Sequence, residues 1–281
     1  MEIFKKIAPL KVYLEKTRRS GKTIGLVPTM GALHNGHLAL VSASKAQNSV
    51  TLCSIYVNPM QFNNPVDLQK YPRNLDQDMK LLGAAGCDVI FCPDNEEMYE
   101  GKSILKFDFG ALDKVMEGKY RPGHFSGVAL VVSKLFNIAE PDNAYFGQKD
   151  WQQFAVIQQV VRELKFDLTL HSIPTLREDD GLAMSSRNLR LNGIQRQQAT
   201  AFYLALRLAR ENLKMGKEIA RVKQLVKDSV EKGEGVTLEY FEVAESDTLT
   251  LLDLIDGAEK PIMCIAGYVG EVRLIDNMFL N

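Results

Sequence analysis

Short apolar runs, each closed by a proline and separated by helical segments, constrain this chain more than any other feature. The run at residues 23–27 ends at Pro28, the run at 50–57 at Asn58-Pro59, and the run at 88–92 at Pro93. Runs of this length without polar alternation describe strands buried on both faces. Residues 37–47 lie between the first two and carry Leu38, Leu40, Val41, Ala43 and Ala46 without a breaker. Residues 74–85 begin on an Asn cap, have an acidic first turn and place Leu75, Met79 and Leu82 at helical spacing. The alternation continues with a helix at 128–138, a strand at 143–146, a helix at 151–164 and a strand at 168–173 closed by Pro174. Strands alternating with helices predict an α/β fold, a Rossmann-like parallel sheet with flanking helices.

After Leu176 the texture changes. Residues 193–213 and 218–231 read as two amphipathic helices, and 236–244, 261–268 and 272–275 as strands of a small antiparallel sheet. The expected organisation is a nucleotide-binding domain over 1–175 and a smaller α+β C-terminal lid domain over 176–281. With 34 basic against 35 acidic residues the net charge is −1, which argues against a nucleic-acid-binding surface. No apolar run approaches the length of a membrane helix, and residues 1–6 lack the apolar core of a secretory signal. The four cysteines (53, 87, 92, 264) form neither a CxxC pair nor a disulfide framework. The expectation is a cytoplasmic protein with reduced thiols, with no nucleic-acid or membrane partner and no metal held by the protein.

Open parallel sheets bind ligands at the carboxyl edge, where the strand order reverses. The first strand runs into Pro28-Thr29-Met30-Gly31-Ala32-Leu33-His34-Asn35-Gly36-His37, which is neither the GxGxxG of a dinucleotide fold nor a P-loop. It offers two of the chain's four histidines, three residues apart at a helix start. Positions i and i+3 share a helix face, and a helix N-terminus carries unpaired N–H groups and partial positive charge. Rings and backbone together suit an anion. Gly36 keeps a Cβ away from an approaching phosphate. A second cluster, Tyr145-Phe146-Gly147-Gln148-Lys149-Asp150-Trp151-Gln152-Gln153, follows a short strand at the same edge. Lys149 supplies a point charge for a phosphate. A third, at 177–188, sets Ser185, Ser186 and Arg187 on a polar loop, donors that suit a triphosphate. Each cluster also has a plain structural reading, as a histidine turn, a helix cap and an interdomain linker. The HxGH pairing is what favours the functional one.

HxGH together with an MSSRN loop of the KMSKS kind resembles the superfamily of class I aminoacyl-tRNA synthetases and nucleotidylyltransferases. More closely, PTMGALHNGHLAL, VNPMQF, YPRNLDQD, YRPGHFSGV, FGQKDWQQ and REDDGLAMSSRN, in that order, resemble the pantothenate synthetase family. The resemblance implies an ATP-dependent, AMP-forming ligase that joins (R)-pantoate to β-alanine through a pantoyl-adenylate, with Mg²⁺ bound with ATP and a homodimeric assembly. It assigns ATP contacts to Met30, Gly31, Ala32, Leu33, His34, Asn35, Gly36, His37, Gly147, Gln148, Lys149, Asp150, Leu176, Met184, Ser185, Ser186 and Arg187. It assigns catalysis to His34, His37 and Lys149, with His37 as proton donor. Gln61 corresponds to a residue contacting both pantoate and β-alanine, and Gln153 to a second pantoate ligand. Neutral amides there bind hydroxyls and a carboxylate without blunting its nucleophilicity. Three positions depart from the family's commoner pattern: Leu176 for Val, Leu130 for Thr and Trp151 for Tyr or Phe. The alternatives are a nucleotidylyltransferase, which would leave the nucleotide on its product, and a silent ATP-binding protein without turnover. His124 reads as a helix cap or a pocket residue and His171 as structural, while Asp76 and Asp78 have no assigned role.

Overall fold

The structure, a computed structural model, describes residues 1–101 and 103–280. The chain forms two compact units. The first comprises Met1–Phe109, Arg121–Gly147 and Val156–Pro174; the second comprises Gly110–Tyr120, Gln148–Ala155 and the chain from Thr175.

The first unit contains β1 (Glu2–Phe4), α1 (Ile7–Arg19), β2 (Ile24–Thr29), α2 (Asn35–Gln47), β3 (Val50–Ile55), α3 (Pro65–Lys70), α4 (Leu75–Ala84), β4 (Val89–Phe91) and α5 (Asn95–Met98). After α6 (Met116–Tyr120), which belongs to the second unit, come α7 (His124–Ala139), β5 (Asn143–Gly147), α8 (Trp151–Leu164, its first turn in the second unit) and β6 (Thr169–Ile173). Six strands among the described residues form one parallel sheet in the order β1-β4-β3-β2-β5-β6. The order runs one way from β2 through β3 to β4 and the other way from β2 to β5, so the switch lies between β2 and β5. The apolar strands are covered as their composition demands. Val27, Leu40, Val41, Cys53, Leu82, Ile90 and Tyr145 close one core cluster.

β2 runs to Thr29, two residues past the expected stop, and so contains Pro28. Proline is excluded from central strands where its missing N–H breaks a ladder bond. Here Thr23 and Thr29 direct their carbonyls to Val50 and Tyr56, on the β3 side, while Ile24 bonds Asp142 on the β5 side. Pro28 therefore faces β5, where pairing with β2 has already ended at Leu26. No ladder bond is lost.

The second unit holds α9 (Gly193–Gln198), α10 (Ala201–Lys214), α11 (Ile219–Val230), β7 (Val236–Glu245), β8 (Pro261–Val269) and β9 (Val272–Phe279). The three strands form an antiparallel sheet in the order β7-β8-β9, with α10 against β8 and β9 and α11 against β7. The single helix expected over 193–213 is two helices. Thr200 donates its hydroxyl to the Gln197 carbonyl at 2.7 Å, a side-chain bond that competes with the helix ladder at the break. β9 continues four residues past Ile275, through the buried pair Asp276 and Asn277.

All four cysteines are free thiols, three of them buried and Cys92 half-buried. Burial pushes each thiol up, Cys87 to about 11.

Candidate active site

β2 delivers the chain to the carboxyl edge at the switch in strand order, and the next residues turn sharply. Thr29 donates its hydroxyl to the Ser54 carbonyl at 2.7 Å and accepts the N–H of Gly31 at 3.2 Å. Gly31 and Ala32 both take positive φ, 77° and 49°. Such a backbone is strained at Ala32 and persists only when its surroundings hold it. The holder is Asp78 of α4, 2 % exposed, whose carboxylate accepts the N–H of Ala32 at 2.9 Å and of Leu33 at 2.7 Å. A Cβ on Gly31 would lie 2.8 Å from that same carboxylate, so glycine is required there twice over. Burial raises the Asp78 pKa while the two N–H groups pull it back down. Nothing in the sequence marks this role of Asp78, because its partners are 45 and 46 residues away. Asp76 is exposed.

His34 is the N-cap of α2. Its Nδ1 accepts the Gly36 N–H at 3.2 Å, and the Nδ1 of His37 accepts the N–H of His34 at 3.4 Å, a reciprocal capping box built from two imidazoles. The ring centroids are 4.1 Å apart. Because each Nδ1 accepts, the neutral form of each ring carries its proton on Nε2. The helix start thus adds two N–H donors to its own partial positive charge. Asn35 is exposed in the first turn, and Leu33 is buried in the core.

Gln61 ends a 3-10 turn, Pro59–Gln61, beside this loop and is 7 % exposed. Its Nε2 donates to the Met30 sulfur at 3.2 Å, and its Oε1 accepts from Asn58 Nδ2 at 3.2 Å. Asn58, 1 % exposed, also donates to the Gly127 carbonyl at 3.1 Å and accepts the Tyr99 hydroxyl at 2.8 Å. α7 approaches so closely that a Cβ on Gly127 would lie 2.3 Å from the Met60 carbonyl. His124, 5 % exposed, donates from Nδ1 to the Gln61 carbonyl at 2.7 Å. It therefore holds the main chain of Gln61. His171 stacks on Tyr145 and bonds Asn143 through Nε2, a structural role. Leu130 is buried on α7. Gly147 ends β5, the strand next to β2. Thus Met30 to His37, Gln61 and Gly147 all belong to the first unit.

The other expected residues belong to the second unit. Gln148, Lys149 and Asp150 form a 3-10 turn, with Lys149 Nζ 3.3 Å from the Asp150 carboxylate. Gln153 is half-buried in the first turn of α8. Its neighbour Gln152 is buried and pins residues 112–117, accepting the Glu117 N–H and donating to the Leu112 and Val115 carbonyls. The loop expected at 177–188 is a hairpin with a cap. Met184 N–H bonds the Leu176 carbonyl at 3.0 Å, Arg177 bridges Ala183, and Glu178 N–H bonds Leu182. The Leu176 side chain is exposed. Ser185 then caps the turn Ser186–Arg190 by accepting the Arg187 N–H at 3.3 Å.

Comparison with known proteins agrees with this architecture. A family model described as pantoate-beta-alanine ligase matches residues 2–279. A pantothenate synthetase of Cytophaga hutchinsonii is 46 % identical over 98 % of this chain and 97 % of its own length. One of Carboxydothermus hydrogenoformans is 47 % identical over 100 % of this chain and 99 % of its own. Among solved structures, pantothenate synthetase from Thermus thermophilus superposes with a TM-score of 0.93 at 38 % identity, covering 100 % of this chain and 99 % of that one. Pantoate-beta-alanine ligase from Francisella tularensis, complexed with beta-gamma ATP and beta-alanine, gives 0.84 at 34 % identity, covering 100 % and 98 %. With a match over nearly its whole length, the chain belongs to the pantoate–β-alanine ligase family.

Proposed function

We propose that this chain activates the carboxylate of (R)-pantoate with ATP and passes the pantoyl group to β-alanine, giving pantothenate, AMP and pyrophosphate. A pantoate carboxylate oxygen attacks the α-phosphorus, and the bond to the pyrophosphate oxygen breaks. The neutral amine of β-alanine then attacks the acyl carbon, and AMP leaves. The observation that carries the reading is the imidazole capping box at the switch point, which sets two rings, each engaged through Nδ1, beside a helix N-terminus on one turn. In a water-poor site such preorganised donors are worth roughly 2.7–4 kcal/mol each at developing charge. We assign His34, His37 and Lys149 to that charge, His37 also to proton donation, and the remaining ATP contacts to Met30 through His37, Gly147 through Asp150, Leu176 and Met184 through Arg187. Gln61 takes pantoate and β-alanine, and Gln153 takes pantoate.

Mg²⁺ enters this proposal as the ATP complex and offsets phosphate charge. Among the described residues no group of three His, Cys, Asp or Glu gathers as a metal site. The residues assigned to ATP are mostly donors, Asp150 being the one carboxylate, so phosphate oxygens and water would supply most of the metal's ligands. The proposal also includes a homodimer and a cytoplasmic location, on family resemblance. No helix among the described residues is long and apolar enough to cross a membrane.

The test is exchange of labelled pyrophosphate into ATP with Mg²⁺ and (R)-pantoate and no amine. Exchange that requires pantoate is expected, with AMP released on adding β-alanine. No exchange, with the nucleotide retained on a product, would replace this reading by a nucleotidylyltransferase. A second expectation concerns Gly147, where an added Cβ would meet no protein atom within 4 Å. Gly147→Ala should leave the melting temperature unchanged and raise KM for ATP about tenfold if phosphate approaches that backbone. Unchanged KM would remove Gly147 from the ATP contacts.

A further inference from the structure

β9 is an edge strand, and two polar residues occupy its interior. Asp276 is 5 % and Asn277 2 % exposed. Successive side chains leave a strand on opposite faces, so the two reach different segments. β9 packs against both the Gln148–Asp150 turn and the Ser186–Arg190 turn. We propose that Asp276 and Asn277 are a positioning pair for ATP use: Asn277 sets the backbone of Lys149, and Asp276 sets the hairpin that carries Ser185, Ser186 and Arg187. The inference rests on the ATP assignment made above.

Asn277 spends both amide hydrogens on consecutive carbonyls, Gln148 and Lys149, each at 2.8 Å. Those carbonyls belong to the two peptide planes flanking the Lys149 Cα. Holding both planes fixes φ and ψ of Lys149, and with them the direction in which its side chain leaves. The Asn277 Oδ1 is buried with no hydrogen-bond partner. An orphaned acceptor is a cost, which marks the side chain as kept for its two donors.

Asp276 works through Arg177. The guanidinium makes a two-pronged pair with it, at 2.6 and 3.0 Å, and also donates to the Gly181 carbonyl at 3.0 Å and the Asn277 carbonyl at 3.2 Å. It lies 4.7 Å over the Tyr203 ring. Arg177 is one side of the hairpin whose other side, Ala183 and Met184, leads directly into Ser185. Asn188 closes the far end by donating to the Ala183 carbonyl at 3.0 Å.

A purely architectural role predicts that these side chains act independently of the residues they hold; a positioning role predicts coupling. The experiment is a pair of double-mutant cycles in the full chain, Asn277→Ala with Lys149→Ala and Asp276→Asn with Arg187→Ala. It is read by calorimetric ATP binding with Mg²⁺ and by pantoate-dependent pyrophosphate exchange. Asn277→Ala is expected to lower exchange and ATP affinity about tenfold in the wild-type background and less than about twofold when Lys149 is already absent. Asp276→Asn should behave likewise with Arg187. Equal losses in both backgrounds would overturn the proposal. Asn277→Leu guards against misfolding, because it removes the orphaned oxygen and keeps the volume. It leaves the Gln148 and Lys149 carbonyls without these donors, so it should melt several degrees below the wild type, stay folded at the assay temperature, and lose function as the alanine variant does. Full activity in it would also overturn the proposal. Should the wild type bind ATP but not exchange pyrophosphate, the ligase chemistry fails and the cycles are read from ATP affinity alone. Failure of the wild type to bind ATP would overturn both.

Discussion

Alanine in place of His37 is expected to slow pantoate-dependent pyrophosphate exchange by about 10²–10³-fold. The expectation follows from which nitrogen is already in use. Nδ1 of His37 accepts the His34 N–H, so the donor it can direct at a ligand is Nε2–H. Removing the ring also removes half of the capping box, a loss of about 1 kcal/mol, too small to unfold the unit. Glutamine at this position separates two roles, because it keeps a neutral N–H donor at comparable reach and cannot deliver a proton. Exchange close to wild type in His37→Gln would assign the effect to hydrogen bonding. Exchange as slow as in His37→Ala would assign it to proton transfer. A His37→Ala variant exchanging at the full rate would strike His37 from the mechanism while leaving the ligase reading in place.

Asp78→Ala is expected to destabilise the first unit by about 3 kcal/mol, since two buried N–H groups, on Ala32 and Leu33, would lose their acceptor. For a protein of this size that corresponds to a fall of roughly 6–12 °C in melting temperature. The loss reaches function as well, because Ala32 is held at φ 49° only with its amide engaged, and relaxation there moves the start of α2. Asp78→Asn should recover little. One amide oxygen can accept one N–H, but the NH₂ group would face the other donor. Thermal unfolding with the exchange assay checks both. An Asp78→Ala protein that melts with the wild type and exchanges at the wild-type rate would mean the loop holds itself.

The helices and strands that surround the HxGH turn are legible in the sequence because their signals are local. Pro28, Pro93 and Pro174 mark strand ends to within a few residues, and the Asn74 cap starts α4. β1 was not anticipated: three residues leave no periodic pattern, and Glu2 to Phe4 become a strand only by pairing with Val89 to Phe91. α1 escaped because Pro9 sits in its first turn and Lys6 offers no side-chain cap. The sequence pattern ends β9 at Ile275, because the polar pair Asp276-Asn277 breaks the apolar run. Their burial depends on Arg177, Gln148 and Lys149, about 100 to 130 residues earlier. The HxGH turn, the FGQK turn and the SSR segment stand out in the sequence as candidates for chemistry. What holds each of them, Asp78, Asn277 and Asp276, was not, since a supporting contact between distant segments leaves no mark at either end.

The sheltered state of the cysteines has a practical side. The thiolate is the reactive form, and Cys53, Cys87, Cys92 and Cys264 are all shifted away from it by burial. A thiol placed on the exposed face of α11, as in Lys227→Cys, would be alkylated ahead of all four. Labelling of Lys227→Cys with a fluorophore or spin label is therefore expected to be site-specific without prior removal of the native cysteines.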